Sequence, residues 1–357
     1  MLVMIVSSLL LFFSIANPFE LKIDTLVSQT KEGLQTIEDA IEEQQLIHKI
    51  DALFSLEQQK FNLSDVEIDA IQKRLRPRIT RGIFQTFSSA EQKVGLVKIN
   101  HGGSKCIVTC VDLSKKRSTS LIPAIQQALE SVGFDGYLYY RLGGIPNPRD
   151  GSYKFCTVPY SFKIFLMEEA KNLGFSNVLW IDSRLIPIRS LDEVFDIFQK
   201  NNGFFIDDQR MIRANFLSFS IEAFKKNHQI HPLEHTRIVT PVFGLNFKAD
   251  YVERLVEDYY ACCKSGLEFL SVFPEEHVIS CLLAKQQKKG FRLISETNPK
   301  LRKHLWIYDS EAHDPNLIQN AMNSNFFFYG VSNSCQGDEE LKRILYFIKK
   351  KHKKRQL

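Results

Sequence analysis

From about residue 98 onward, short apolar segments alternate with segments of helical periodicity, and this alternation restricts the possible folds more than any other feature. Each apolar run is only a few residues long and is bounded by glycine or polar residues, which is typical of a buried strand. A repeated strand–helix order predicts an α/β fold with a mainly parallel central sheet and helices on both faces. The strands that carry this prediction are residues 105–111, 136–140, 177–181 and 203–206.

The remaining elements follow from the same patterns. Helical periodicity or turn signals predict helices over residues 121–132, 159–173, 191–199, 250–263 and 275–285, with Ser190 as the N-cap of the third. Apolar runs predict further strands over residues 240–247, 291–295 and 326–329. We therefore place the α/β domain at residues 96–330.

The chain outside this domain divides into three parts. Residues 1–16 are apolar, and Ser14-Ile15-Ala16 offers the small-x-small pattern of a signal cleavage site. We interpret them as a signal peptide or hydrophobic anchor, which predicts the secretory pathway or cell envelope; a buried first helix is the alternative. Residues 17–95 have amphipathic helical spacing and no strand pattern. Residues 331–357 are predicted to form a C-terminal helix and a basic tail.

The positive charge of the chain is concentrated in that tail. Net charge is +5, and the last nine residues carry six Lys or Arg, so the rest is close to neutral. A neutral body argues against a nucleic-acid-binding domain. The tail is either a solvated end or a segment that contacts the anionic surface of a membrane.

Cysteine and histidine give weak signals. The seven Cys include no CxxC pair, which excludes zinc ribbons and thioredoxin-like motifs. We interpret Cys262 and Cys263, in a predicted helix, as small buried hydrophobic residues. His228, His231 and His235 have a spacing that resembles a metal set, but a proline interrupts the segment, and we interpret it as a polar loop.

In parallel α/β sheets, ligands bind beyond the carboxyl ends of the strands. The charged residues at these positions are Asp112, Arg141, Asp182, Arg184 and Asp208. Asp182 is the strongest candidate, because a carboxylate there faces the crevice and could hold Mn²⁺ or Mg²⁺ bridging a diphosphate.

Two of these positions have simpler alternatives. Asp182 could instead cap a turn or pair with Arg184 or Arg189. Arg141 precedes two glycines, where either a loop that closes over a ligand or an ordinary turn fits.

Several segments, in order, resemble a bacterial family of uncharacterised proteins akin to nucleotide-diphospho-sugar transferases. They are PYSFK at residues 159–163, VLWIDS at 178–183, FGLNF at 243–247 and the helix at 276–284. The resemblance covers about residues 105–290. It implies a Rossmann-like, A-type glycosyltransferase fold, a nucleotide-sugar donor, and a glycan, lipid or protein as acceptor.

The resemblance also suggests roles for residues. Lys163 would lie near the sugar or diphosphate, with a surface lysine as the alternative. Asp208, Glu275 and Glu276 are candidates for the general base that activates the acceptor hydroxyl. Transferases of this fold usually end the strand in Asp-x-Asp, whereas the third position here is Arg184. Arg184 could neutralise the diphosphate directly, or the chain could be a catalytically degenerate glycan- or nucleotide-binding module.

Overall fold

The computed structural model describes scattered residues between 55 and 73, and residues 93–111, 118–142, 160–211, 218–265, 268–269, 271, 273–286, 290–308, 315–331 and 338–353. The predicted leader at 1–16, Asp112, the two glycines after Arg141 and residues 354–357 lie outside these ranges. So does most of the region predicted as helical before residue 95. Several of the described residues between Ser55 and Lys73 are helical.

Six strands form the main sheet. They are β1 (Lys93–Ile99), β2 (Lys105–Val111), β3 (Gly136–Leu142), β4 (Asn177–Ile181), β6 (Gly203–Met211) and β7 (Thr236–Asn246). Their order in the sheet is β1-β3-β2-β4-β7-β6. Strands β2, β3, β4 and β6 run in one direction, and β1 and β7 run in the other. This α/β arrangement is consistent with a Rossmann-like fold.

A small second sheet lies beside the main one. It consists of β5 (Leu185–Pro187), β8 (Trp306–Tyr308) and β9 (Phe328–Gly330), in the order β5-β9-β8. Because β5 follows β4 after a short turn, this sheet is anchored next to the carboxyl end of β4.

Helices pack on both faces of the main sheet, as the strand–helix order predicts. The first half of the domain contains α1 (Ser118–Ser131), α2 (Phe162–Asn172), α3 (Asp192–Asn201) and α4 (Ser218–His228). The second half contains α5 (Asp250–Ser265), α6 (Pro274–Gln286), α7 (Ile294–Thr297), α8 (Pro299–Lys303), α9 (Pro315–Asn323) and α10 (Asp338–Lys353). Among the helices that the structure describes, none is both long enough and apolar enough to cross a membrane.

The alternation of side chains along β4 shows why both faces are covered. Val178 and Trp180 belong to the hydrophobic core beneath α2, α5 and α6, whereas Leu179 and Ile181 belong to the core beneath α1, α3 and α10. All four side chains are buried. Successive residues of a strand point to opposite faces, so an uninterrupted apolar run requires cover on both sides.

The structure corrects three details of the sequence prediction. Four of the six strands share one direction, as predicted, but the sheet is mixed, because β7 lies antiparallel between β4 and β6, and β1 lies antiparallel beside β3. Strand β1 was not predicted and crosses the boundary placed after residue 95. Residues 291–295 are not a strand but an irregular segment that leads into α7.

Strand β1 escapes a pattern search because it lies at the edge of the sheet. Val94 and Leu96 are about half exposed, so its apolar residues do not mark a buried face. Gly95 lies opposite Tyr140, and a Cβ atom at Gly95 would come within 2.4 Å of that aromatic ring. A glycine weakens the sequence pattern by which a strand is recognised. Here the close approach of the Tyr140 ring requires glycine at position 95.

Candidate functional site

Asp182 follows β4 directly and lies at the carboxyl end of the sheet. Its backbone N–H donates to the carbonyl of Pro241 in the antiparallel neighbour β7, at 2.8 Å, and its own carbonyl accepts from Leu185 N–H, at 2.8 Å. Its side chain is 29% exposed. The carboxylate is therefore fixed by the backbone on both sides and reaches solvent.

Lys163, in the first turn of α2, is the charged partner of Asp182. Its Nζ lies 3.2 Å from Asp182 Oδ1, which also accepts from Trp180 Nε1 at 2.9 Å. The side chain of Lys163 is only 6% exposed. Asp182 thus pairs with a residue 19 positions earlier in the chain, which the resemblance placed near the sugar or diphosphate. Arg189, one of the partners considered for Asp182, pairs instead with Glu193.

The same ammonium group binds Glu275 and Thr240. Lys163 Nζ lies 2.9 Å from Glu275 Oε1 and donates to the carbonyl and hydroxyl oxygens of Thr240, both at 3.2 Å. The Thr240 hydroxyl donates in turn to Glu275 Oε1, at 3.1 Å. We call Lys163, Asp182, Thr240 and Glu275 the edge network, since they join α2, β4, β7 and the start of α6 at one edge of the sheet.

Charge in the edge network fixes the protonation of its lysine. Burial by itself would lower the pKa of Lys163, but the carboxylates of Asp182 and Glu275 outweigh that effect and raise it. Lys163 is therefore an ammonium ion at neutral pH. It supplies a positive charge and hydrogen bonds rather than acting as a base or nucleophile.

A second charged group adjoins the edge network through β7. Arg237 donates through Nε to Asp208 Oδ2 at 2.8 Å, and its Nη1 lies 3.5 Å from Glu276 Oε2. Glu276 Oε1 accepts from the backbone N–H of Thr240 at 3.3 Å. We call Arg237, Asp208 and Glu276 the arginine group. Thr240 links it to the edge network.

Glu276 has an altered proton affinity. Burial, followed by the negative charge of Glu275, raises its pKa to about 7, although Arg237 and Lys163 oppose the shift. A carboxyl group with a pKa near neutrality exchanges protons readily at physiological pH. The general-base role predicted for Asp208, Glu275 and Glu276 stays a prediction.

The residues around Asp182 offer few ligand atoms to a divalent cation. Mg²⁺ and Mn²⁺ prefer several oxygen ligands. One oxygen of Asp182 already accepts from both Lys163 and Trp180. In the part of the chain that the structure describes, Asp182 belongs to no group of three Asp, Glu, His or Cys ligands. The described residues therefore offer no group of three protein ligands at Asp182, and the expected metal there stays a prediction.

Two predicted substrate-binding residues lie in other contacts. Arg141, at the end of β3, donates through Nε to Glu169 Oε2 at 2.9 Å, and the same oxygen accepts from Tyr139 at 2.7 Å. Arg184 is partly buried in the turn before β5, and its carbonyl accepts from Val331 N–H at 2.9 Å. Asp112 lies outside the described residues. The structure thus brings together Lys163, Asp182, Asp208, Glu275 and Glu276, and places Arg141 in a separate ion pair.

Sequence reasoning missed Thr240 and Arg237, the two residues that connect the acids. Both lie on β7, whose strand was predicted only from residue 240 and without a direction. The direction matters because antiparallel pairing with β4 is what places Thr240 beside the end of that strand. An arginine three residues before the predicted strand gives no signal of that position.

Three further polar side chains form a group that we call the buried cluster. His228, at the end of α4, Cys262, in α5, and Glu268, just after α5, bring one ligand atom each within 4.8 Å of one another. All three residues are buried. The interpretation of the His228 segment as a polar loop is therefore wrong for His228, because it is helical and its ring packs against Phe224.

Comparison with known proteins gives little. No family model matches the chain, and no curated protein matches it in sequence. A solved structure of the galactosyltransferase LgtC in complex with donor and acceptor sugar analogs matches at 12% identity, with a TM-score of 0.35, over 68% of this chain and 95% of that chain. A TM-score of this size is too low to establish a shared fold.

Proposed function

We propose that this chain is an A-type glycosyltransferase that transfers a sugar from a nucleotide-diphospho-sugar to an acceptor at the carboxyl edge of the sheet. The observation that carries the proposal is Asp182, a partly exposed carboxylate at the end of a central strand that pairs with the buried Lys163. Crevices at this edge are where open α/β sheets bind ligands. The resemblance of the PYSFK and VLWIDS segments to nucleotide-sugar transferases supports the same substrate class.

The edge network would hold the donor. An isolated carboxylate repels a diphosphate, and the Lys163 ammonium, 3.2 Å from Asp182 Oδ1 and shared with Glu275, offsets part of that repulsion. The other carboxylate oxygen of Asp182 can then accept hydrogen bonds from hydroxyl groups of the donor, and such charge-assisted bonds are stronger than neutral ones. Arg184, which follows Asp182 by two residues, is the candidate partner of the diphosphate.

The arginine group would act on the acceptor. With a pKa near 7, Glu276 accepts the proton of the acceptor hydroxyl while oxygen attacks the anomeric carbon of the donor sugar. The bond from that carbon to the diphosphate breaks, and the nucleoside diphosphate leaves with the electron pair. Arg237 stabilises the ionised form of Glu276 and anchors Asp208 beside it.

Calorimetry with the full chain tests donor binding. Uridine and guanosine diphosphates are titrated separately, each with and without manganese. We expect one nucleotide to bind, and binding without manganese would indicate that Lys163 and Arg184 supply the positive charge. Arg184→Ala should then weaken the metal-free binding. If neither nucleotide binds under either condition, the proposed donor site is wrong.

A second candidate function has its own support. Arg184 stands where such transferases usually carry a second acid, and the described residues around Asp182 do not complete a cation site. A glycan- or nucleotide-binding module without turnover would tolerate both features. Hydrolysis or transfer of the bound nucleotide sugar separates the two: saturable binding with no turnover across acceptors supports the module, and turnover supports the enzyme.

A further inference from the structure

The buried cluster places three unlike ligand atoms around one point. His228 Nε2 lies 3.3 Å from Cys262 Sγ and 3.5 Å from Glu268 Oε1. The exposed fractions of the three residues are 6%, 0% and 0%. A carboxylate removed from water in this way requires a compensating positive charge or several hydrogen bonds.

Hydrogen bonding through His228 cannot satisfy both neighbours well. Nε2 carries at most one proton, which it can donate either to Glu268 or to Cys262 or share between them at a poorer angle. If Nε2 instead accepts from the Cys262 thiol, its lone pair and the Glu268 oxygen face each other without a proton. A cation at the centre of the three atoms would contact all of them at once.

The distances agree with a tetrahedral metal site. Zinc lies about 2.0–2.1 Å from histidine nitrogen and carboxylate oxygen, and about 2.3 Å from cysteine sulfur. Tetrahedral geometry then separates nitrogen and sulfur by about 3.6 Å, and nitrogen and oxygen by about 3.4 Å. The observed separations of 3.3 and 3.5 Å differ from these by a few tenths of an ångström.

An outer hydrogen bond orients one of the three ligand groups. Asn227 Nδ2 donates to Glu268 Oε1 at 2.9 Å, which fixes the carboxylate. Asp258 Oδ1 lies 4.0 Å from His228 Nδ1, beyond hydrogen-bonding distance but on the side of the ring away from Nε2. Metal-bound histidines commonly direct their second ring nitrogen toward a carboxylate, which selects the tautomer that leaves Nε2 unprotonated.

We propose that His228 Nε2, Cys262 Sγ and Glu268 Oε1 bind a zinc ion that ties the end of α4 to α5 and to the turn after it. The mixed nitrogen, sulfur and oxygen donor set suits zinc better than Mg²⁺ or Ca²⁺, which prefer oxygen alone. The fourth position falls to the second oxygen of Glu268 or to a water molecule. Because the site is closed to solvent, the ion has a structural role, and its presence does not depend on the proposed transferase activity.

Metal analysis of the purified full chain tests this proposal. We expect one zinc per chain by mass spectrometry, and a melting temperature that a chelator lowers and added zinc restores. Cobalt(II) in place of zinc should give the near-ultraviolet absorption of a thiolate–cobalt bond, which reports Cys262 directly. Cys262→Ala should abolish that absorption.

Cys281→Ala is the matched control, because Cys281 is equally buried and also lies on a helix. It should keep both the zinc and the cobalt absorption. Glu268→Gln keeps the size of the side chain and the thiol, so it tests the site if Cys262→Ala does not fold. Changing an outer partner of a metal ligand costs about 10- to 100-fold in affinity, and loss of the ligand itself should cost at least about 100-fold.

Two results would overturn the proposal. One is a wild-type chain that neither contains zinc nor shows a thiolate–cobalt absorption when titrated, which would mean that a protonated His228 holds the cluster by hydrogen bonds. The other is equal zinc affinity in the wild type and Glu268→Gln, which would place the metal elsewhere in the chain.

Discussion

The edge network and the buried cluster both contain carboxylates in contact with other polar groups. They differ in whether one of their own residues carries a permanent positive charge. The edge network contains its own cation, Lys163, and leaves Asp182 29% exposed. The buried cluster consists of His228, Cys262 and Glu268, none of which carries a permanent positive charge, and Glu268 is fully buried. A partly exposed site with an ammonium ion is suited to a polar substrate, and a closed site of nitrogen, sulfur and oxygen atoms is suited to a metal.

Removing the built-in cation should have the largest effect. Lys163→Met leaves Asp182 and Glu275 without their shared partner, so we expect the free energy of unfolding to fall by about 3–5 kcal/mol. Lys171→Met makes the same change at an exposed position of the same helix and should stay within about 0.5 kcal/mol of the wild type. Urea denaturation measures both. Equal values for the two variants would show that Lys163 is not the structural cation of the edge network.

The second prediction concerns pH. Because the pKa of Glu276 is about 7 in the folded chain and 4.5 ordinarily, the folded state binds an extra proton between these values. The free energy of unfolding should therefore fall as pH rises from 4.5 to 7, by on the order of 3 kcal/mol. Glu276→Gln should flatten this decline, whereas Glu253→Gln, at an exposed site, should not. Denaturant titrations across the pH range measure this dependence. If the free energy of unfolding of Glu276→Gln falls with pH as steeply as that of the wild type, Glu276 is not the group responsible.

A third test separates function from stability in the edge network. Asp182→Ala should lower turnover or affinity for the nucleotide sugar roughly a hundredfold, because it removes a charged hydrogen-bond acceptor from the site. Its melting temperature should stay close to that of the wild type, since the side chain is partly exposed and Glu275 still pairs with Lys163. Asp196→Ala, at an exposed position of α3, is the control. Wild-type activity in Asp182→Ala would remove the support for a catalytic role.

The smallest effect on ligand binding is expected at Arg141. Its guanidinium pairs with Glu169, next to Tyr139, so Arg141→Met should lower stability while nucleotide affinity stays unchanged. Calorimetry and thermal denaturation of the same preparation compare the two quantities. A marked loss of nucleotide affinity would show that Arg141 belongs to the binding site, which would then extend beyond the edge network.

The pattern of apolar residues in the sequence alone determined most of the main sheet and several of its helices. Runs such as NVLWI must be covered on both faces, and this physical requirement identified five strands of the main sheet, the helices between the first four of them, and Asp182 at the sheet edge. Such signals are local, because strand and helix periodicity extend over only a few residues. The acids at the start of α6 were also found, as candidates for a base.

Only the tertiary structure decided which charges meet. Antiparallel insertion of β7 beside β4 brings Thr240 between Lys163 and Glu275, and no local pattern encodes the direction of a neighbouring strand. His228 and Glu268 are 40 residues apart in sequence, and packing of α4 against the end of α5 is what buries them together with a cysteine. Burial of a polar residue depends on which elements cover it, and that depends on long-range contacts that periodicity does not carry.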